Sequence, residues 1–223
     1  MQMIDLLAAK GNIETSTRLQ VPIRDETGLP LGSLCCLDRG LVDRADLVSA
    51  MTEWRNQSMR FFLTQFTATP DRTKQWLKNV VLPAKDRILF VILDIEGEPI
   101  GNFGLANISS DTVEVDNVLR RQHATSKNIM FYASVALIHW AFQALGVDRT
   151  QLHVFETNDR ALRLYKRLGF EVSEHFQLRR TERDNLIEYI KADDANATEI
   201  EGYLKMELTK KGFRRTHPWI DRC

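Results

Sequence analysis

The sequence predicts an α+β fold built on a mixed sheet, and three observations carry that reading. Apolar runs at 87–94, 100–106 and 112–119 are separated by turns and form an antiparallel meander. A long apolar tract, Ile129 to Leu145, follows the meander at helical length. A strand, a capped helix and a second strand then succeed one another between Thr150 and Phe170. This order lacks the regular βαβ alternation of a doubly wound sheet.

Taken from the start, residues 1–40 read as a short helix and two strands, an N-terminal extension to a main domain at 41–223. The strands, Arg18–Arg24 and Leu31–Leu37, flank the turn-rich Asp25-Glu-Thr-Gly-Leu-Pro30. Pro22 has no N–H to give a ladder, which puts the first strand at a sheet edge. Asp43 is placed to cap a helix through Leu47, Met51 and Trp54. Thr69 caps another, with Pro70 at its first position. Arg87–Asp94 is a buried strand, Glu96-Gly-Glu-Pro99 turns the chain, and Ile100–Ala106 returns beside it. Thr112–Leu119 alternates apolar and acidic residues at its start. The helix from Lys127 stops at Gly146, and the one from Asn158 stops at Gly169. Leu186–Ile190 and Tyr203–Leu208 are further strands.

Composition bounds the function. In 223 residues, Lys plus Arg and Asp plus Glu are both 30, so the net charge is zero, which argues against nucleic-acid or membrane-surface partners held by bulk electrostatics. Cys35, Cys36 and Cys223 show neither a disulfide framework nor a zinc spacing; no metal site and a reduced, cytoplasmic compartment are expected. Lys10 comes too soon for a signal peptide, and Ser134, His139 and Gln143 interrupt the apolar tract, making it a buried helix rather than a membrane span.

The most informative segment is Val154–Phe170. Asn158 caps the helix and Asp159 suits the positive end of its dipole. Asn158, Ala161, Tyr165, Gly169 and Phe170 fall at the spacing N-x-x-A-x-x-x-Y-x-x-x-G-F. An ordinary amphipathic helix with a glycine stop would account for part of this. The combination resembles the acetyl-CoA-side signature of the GNAT superfamily of N-acetyltransferases, and the resemblance spans roughly Met51 to Leu208. It implies a strongly bent mixed sheet, splayed between its fourth and fifth strands, with acetyl-CoA as co-substrate in the splay. By the same implication, the strand Glu114–Leu119, with Val118 and Leu119, holds the pantetheine and polarises the thioester carbonyl through a backbone N–H. Leu152–Phe155 forms the other wall. Asn158 joins the cofactor-binding set.

The family's phosphate loop, R/Q-x-x-G-x-G/A, corresponds here to Arg121-Gln-His-Ala124-Thr-Ser126, in which both glycines are replaced. Small residues let backbone N–H groups approach phosphate oxygens, and Ala124 and Ser126 meet that need in part. Arg121, Ser126 and Lys127 add charge and donors. His123 is a further phosphate contact to consider.

Acetyl transfer to an amine needs a neutral amine, a stabilised oxyanion and a protonated leaving thiolate. Tyr165 fits the acid through its place in the motif. Glu114 and Asp116 share one strand face and fit either as the base or as ligands of the acceptor ammonium, a solvated strand face being the alternative. His153, alone on an apolar strand, reads as a packing residue. A bound amine can attack directly in a ternary complex.

Trp54-Arg55-Asn56, with Phe61 nearby, resembles the entry of two GNAT branches, one acetylating nucleotide-linked amino sugars for surface glycans and one acetylating ribosomal-protein N-termini. Trp54, Arg55 and Phe61 suit stacking on a base or pairing with a diphosphate, core packing of Trp54 and Phe61 being the plain alternative. Zero net charge disfavours an acceptor embedded in ribosomal RNA, which leaves the sugar branch and a small-molecule acceptor as the expectation. The loss of both glycines leaves open a domain that no longer turns over acetyl-CoA and instead binds or regulates a partner. A homodimer is compatible with the sequence.

Overall fold

The computed structural model describes residues 19–122, 128–192 and 200–222. The expected helix near the N-terminus lies outside them, as do His123, Ala124, Ser126 and Lys127. Among the described residues ten strands form one sheet: β1 (Gln20–Arg24), β2 (Pro30–Cys36), β3 (Thr64–Gln65), β4 (Ile88–Asp94), β5 (Pro99–Ala106), β6 (Thr112–Arg120), β7 (Arg149–Phe155), β8 (Glu171–Arg183), β9 (Leu186–Lys191) and β10 (Ile200–Thr209). Their spatial order is β1-β2-β4-β5-β6-β7-β10-β8-β9-β3. Every pair is antiparallel except β6 with β7.

The two strands of the N-terminal extension pair onto β4 and so belong to this same sheet. Pro22 sits on β1 at the sheet's edge, where its missing N–H costs no ladder bond.

The helices are α1 (Arg39–Val42), α2 (Ala45–Gln57), α3 (Pro70–Trp76), α4 (Ile129–Trp140), α5 (Asp159–Leu168) and α6 (Lys210–Thr216). Both α3 and α4 run on through a widened π-helical turn, to Val81 and Leu145. Asp43 does not cap α2. It ends α1 and pairs with Lys74 and Lys78, while Arg44 holds the N-cap position of α2 without a side-chain bond. Thr69 caps α3 as its sequence suggests, accepting from the Arg72 N–H at 3.3 Å.

The sheet separates two apolar layers. On one face Phe90, Ile92, Phe103, Leu105, Val113 and Val115 pack with Ala133, Leu137 and Phe142 of α4 and its extension, and with Tyr165 and Leu168 of α5. On the other face Leu89, Val91 and Cys35 pack with Leu47, Met51 and Trp54 of α2 and with Leu77 and Val81. Alternation along β4, with Leu89 and Val91 on one side and Phe90 and Ile92 on the other, is the period-2 pattern of a strand covered on both faces. None of the described helices is long and apolar enough to cross a membrane.

Trp54 is 2% exposed inside the second layer, so its indole fills core volume. Trp54→Ala is expected to lower unfolding stability by about 3–5 kcal/mol. Urea denaturation checks this, and an unchanged midpoint would contradict the core placement.

Candidate active site

The strands β6 and β7 run parallel for three pairs only, Thr112 with Arg149, Val113 with Thr150 and Glu114 with Gln151. Beyond them β6 stays with β5 and β7 stays with β10. The gap is a cleft of about 700 Å³ that passes through the sheet.

A β-bulge shapes one wall. Gly104 pairs with Asp116 and Asn102 with Leu119, so Asn117 and Val118 together oppose Phe103. Asn117 takes φ +49°, the left-handed region in which Asn is among the more tolerant residues. Asp116 fixes the bulge: Arg87 donates to its Oδ2 at 2.5 Å, the Asn117 N–H to its Oδ1 at 2.7 Å and Asn117 Nδ2 to its Oδ2 at 2.8 Å. From β5, Asn102 Nδ2 donates to the Asn117 carbonyl at 2.6 Å. Gly104 permits this approach, because a Cβ there would lie 2.8 Å from the Asp116 carbonyl oxygen.

The bulge inverts the alternation of β6. Before it, Val113 and Val115 face α4, so Glu114 and Asp116 face the α2 side. After it, Leu119 turns to the α2 side and Val118 packs on the α4 side. One end of the cleft therefore carries Val118, Arg120, Asn128, Met130, Arg160 and Arg163, and the other Glu114, Asp116, His153, Phe155 and Tyr203.

The first end joins apolar wall to positive charge: Val118, Met130, Ala161 and Leu164 line it, with the guanidinium groups of Arg120, Arg160 and Arg163. Burial, then Arg160, draws the Arg120 guanidinium below its ordinary value. Asn158 caps α5, its Oδ1 accepting from the Ala161 N–H at 3.2 Å, and lines the cleft. Gly169, at φ +97°, reverses the chain so that the Phe170 N–H returns to the Tyr165 carbonyl at 3.0 Å.

Tyr165 is 7% exposed and lines the cleft between the two ends. Burial pushes its phenol well above the ordinary tyrosine value, and the Asp116 carboxylate adds to the shift. It is therefore a neutral hydroxyl at physiological pH, able to donate. Tyr203 on β10 is a second such phenol, raised by burial and then by Glu114 and Asp116.

Glu114 is held from two sides. Its Oε1 lies 2.8 Å from His153 Nδ1, and its Oε2 accepts from Asn107 Nδ2 at 2.8 Å. Burial raises this carboxyl, but the His153 and Asn107 hydrogen bonds together with neighbouring positive charge leave the group below its ordinary value. His153 also stacks on Tyr203, with ring centroids 5.6 Å apart and planes 10° from parallel.

The expected acceptor residues divide. Arg55 lines the cleft, its guanidinium 4.0 Å from the Phe62 ring centroid and 5.1 Å from that of Phe66, and burial draws it below its ordinary value. Trp54 is buried in the core away from the cleft, so it cannot stack on a ligand. Asn56 is also away from the cleft. It bonds the Ala68 carbonyl at 3.0 Å and the Ala68 N–H at 2.9 Å, tying together the ends of segment 57–67. That segment crosses the sheet to pair as β3 with β9, and Ser58, Phe61, Phe62, Leu63 and Thr64 roof the cleft on the way.

Of the expected cofactor residues, Val118, Leu119 and Asn158 border the cleft, Leu119 with a side chain that is 6% exposed and packed in the core. Arg121 is exposed, donates its N–H to the Ile100 carbonyl at 2.8 Å, and does not line the cleft; its neighbour Arg120 does. Ala124, Ser126 and Lys127 fall outside the described residues. His153, read from sequence as a packing residue, and Tyr203, not singled out there, stand in the cleft. No group of three or more His, Cys, Asp or Glu among the described residues could hold a metal ion.

Residues 39–171 match the family model of the acetyltransferase (GNAT) domain. No curated protein matches the chain. Among solved structures, spermidine N-acetyltransferase from Vibrio cholerae, in complex with CoA and spermine, superposes with a TM-score of 0.59 at 15% identity, over 81% of this chain and 96% of that one. Apo FdhC, a nucleotide-linked sugar GNAT, gives 0.58 at 14%, over 80% and 90%. A GCN5-related N-acetyltransferase from Brucella melitensis gives 0.62 at 15%, over 90% and 88%. At these identities the likeness concerns the fold.

The lowered Glu114 carboxyl has a pH signature. A depressed carboxyl contributes stability above its unfolded value, and the contribution is lost as pH falls through the folded one. Thermal unfolding of Glu114→Gln is therefore expected to show a shallower loss of Tm below pH 4.5, the ordinary value of that group, than the parent protein. Parallel profiles would refute the assignment.

Proposed function

The chain belongs to the GNAT acetyltransferase family, as an acetyl-CoA-dependent N-acetyltransferase, and from that premise we propose that it acetylates the primary amine of a nucleotide-linked amino sugar in the cytoplasm. The observation that carries the acceptor reading is the roof of the cleft, where Arg55, Phe61 and Phe62 stand over the side bearing Glu114. Aromatic rings suit the face of a base, and a guanidinium suits a diphosphate. Glu114 places a carboxylate where the substrate ammonium would arrive.

Acetyl-CoA supplies an acyl group activated as a thioester. The chain's residues bind it on the α4 side, with Arg120, Arg160 and Arg163 towards the phosphates and Val118 and Leu164 along the arm. The amine enters from the α2 side, so donor and acceptor meet where β6 and β7 part. Holding both in line converts a bimolecular encounter into a step within one complex. Backbone N–H groups of the bulged strand near Val118 would stabilise the thioester oxygen as it gains charge. Tyr165 gives its proton to the departing sulfur, a role that its raised, neutral phenol fits. Asp116 takes no part in proton transfer, because Arg87 and Asn117 occupy its carboxylate; it holds the wall in shape.

Acetyl-CoA is expected to raise the Tm of the full chain, and no shift at high concentration would favour a domain that binds a partner without turnover. Thiol release should be fastest with amino-sugar nucleotides in a panel that also contains spermidine and N-terminal peptides. Faster turnover of spermidine would reassign the acceptor. Tyr165→Phe should cost about 10²–10⁴-fold in kcat with acetyl-CoA affinity unchanged; full activity would remove it as the acid.

A further inference from the structure

The geometry points to His153 Nε2 as the atom that takes the proton from the acceptor amine, with Glu114 acting behind it as a positioning residue. The inference rests on the acetyl-transfer reading above and deepens it.

Glu114 is the obvious base by its place on β6, yet both its oxygens are engaged. Oε1 faces His153 Nδ1 and Oε2 accepts from Asn107, each at 2.8 Å. A carboxylate held in this way is a good orienting group and a poor proton acceptor. Glu114 is held ionised, so a hydrogen on Nδ1 satisfies the pair, and Nε2 is the ring nitrogen left to exchange a proton with the cleft. The stack on Tyr203 fixes the plane of the ring. The imidazole lines the cleft with a quarter of its side-chain surface exposed. An oriented imidazole with one engaged nitrogen and one free to the cleft is the usual construction of a general base.

The surroundings allow the cation that results. Glu114 lies on β6, Tyr203 and Lys205 on β10, and Glu174 on β8 opposite Lys205. Lys205 is directly across from His153 in the ladder, but its ammonium is drawn away to Glu174 at 2.9 Å and Glu207 at 3.0 Å. The charge closest to the ring is thus the Glu114 carboxylate.

The proton count closes. An ammonium nitrogen loses two protons on becoming an amide. The first breaks its N–H bond to form Nε2–H on His153, and the imidazolium passes it to solvent. The freed lone pair forms the C–N bond as the C–S bond breaks. Tyr165 protonates the sulfur, and the second proton from nitrogen restores Tyr165. No oxidant or further reactant is involved.

The test has two parts, both on the full chain. Long-range ¹H–¹⁵N spectra of histidine-labelled protein, taken at a pH where the ring is neutral, should show His153 carrying its hydrogen on Nδ1 with Nε2 bare. The Nε2–H tautomer would overturn the proposal whether or not any amine turns over. Thiol release is then followed across pH with the best amine from the panel. His153→Gln should lose about 100-fold or more in kcat, keep the parent's KM for acetyl-CoA, and lose the acid limb of the profile. Glu114→Gln should retain an acid limb displaced to lower pH, because the imidazolium has lost its carboxylate. A His153→Gln variant within about twofold of the parent, or one that keeps the acid limb while binding acetyl-CoA normally, would also overturn it. Absence of turnover with every amine, with no acetyl-CoA shift in Tm, would instead count against the enzymatic reading, and the tautomer would still decide the state of His153.

Discussion

The parting of β6 from β7 after the pair Glu114–Gln151 is the constraint from which the site follows. A sheet interior normally satisfies every backbone N–H and C=O across its ladders. Here two neighbouring strands give up that pairing in the middle of a ten-stranded sheet. Residues of both strands line the cleft at this parting, where an extended ligand arm can pair with an open strand edge as an added strand would. Keeping the strands apart takes work on both sides. The β7 strand is held by seven register pairs with β10, from Phe155 back to Arg149. On the other side, β6 is bent by its bulge and pinned to β5 through Asn102.

The bulge also decides which side chains reach which end of the cleft. One inserted residue reverses the side-chain alternation, so carboxylates before it and Val118 after it face opposite sides of the sheet. That lets a single strand serve two ligands of different chemistry. The locking group, Asp116, is a partly buried carboxylate paired with Arg87 and with both the backbone and the side chain of Asn117. Such a pair contributes little net stability against a well-packed apolar pair, since desolvation offsets the attraction. Its value lies in direction, because it fixes the φ of Asn117 and so the line of the wall.

What the sequence reveals and what it hides divide by range. The segment Asn158–Phe170 is legible because cap, phenol and glycine act within one helix and its two ends. Thr69 and Pro70 are legible for the same reason. Trp54 was open to two readings because an amphipathic helix does not say which of its neighbours will be sheet and which ligand; the α2 stripe turns out to face β4. Asn56 had no local signal for its bonds to Ala68, twelve residues on. The bulge at Asn117 exists only against β5, so nothing in 112–120 alone discloses it, and with it goes the choice between Arg120 and Arg121. His153 looked isolated because its partner Glu114 is 39 residues away and reaches it only through the parallel β6–β7 contact. A histidine two residues beyond the partner of an acid, on two strands flanking an expected splay, is a usable signal.

The division of the cleft gives the two proposed proton transfers different environments. Tyr165 stands on α5, packed at 7% exposure beside Phe170, where a phenol stays neutral and suits the donor of a proton. His153 stands on the opposite face, more open to water and backed by an ionised carboxylate, where an imidazole can accept a proton and release it. If both groups shared the buried face, the imidazolium would be desolvated and would lose its route to solvent. If both shared the open face, the phenol would compete with water to protonate the sulfur. Opposed faces meeting at one gap avoid both outcomes, and that arrangement is available only because the strands between them separate.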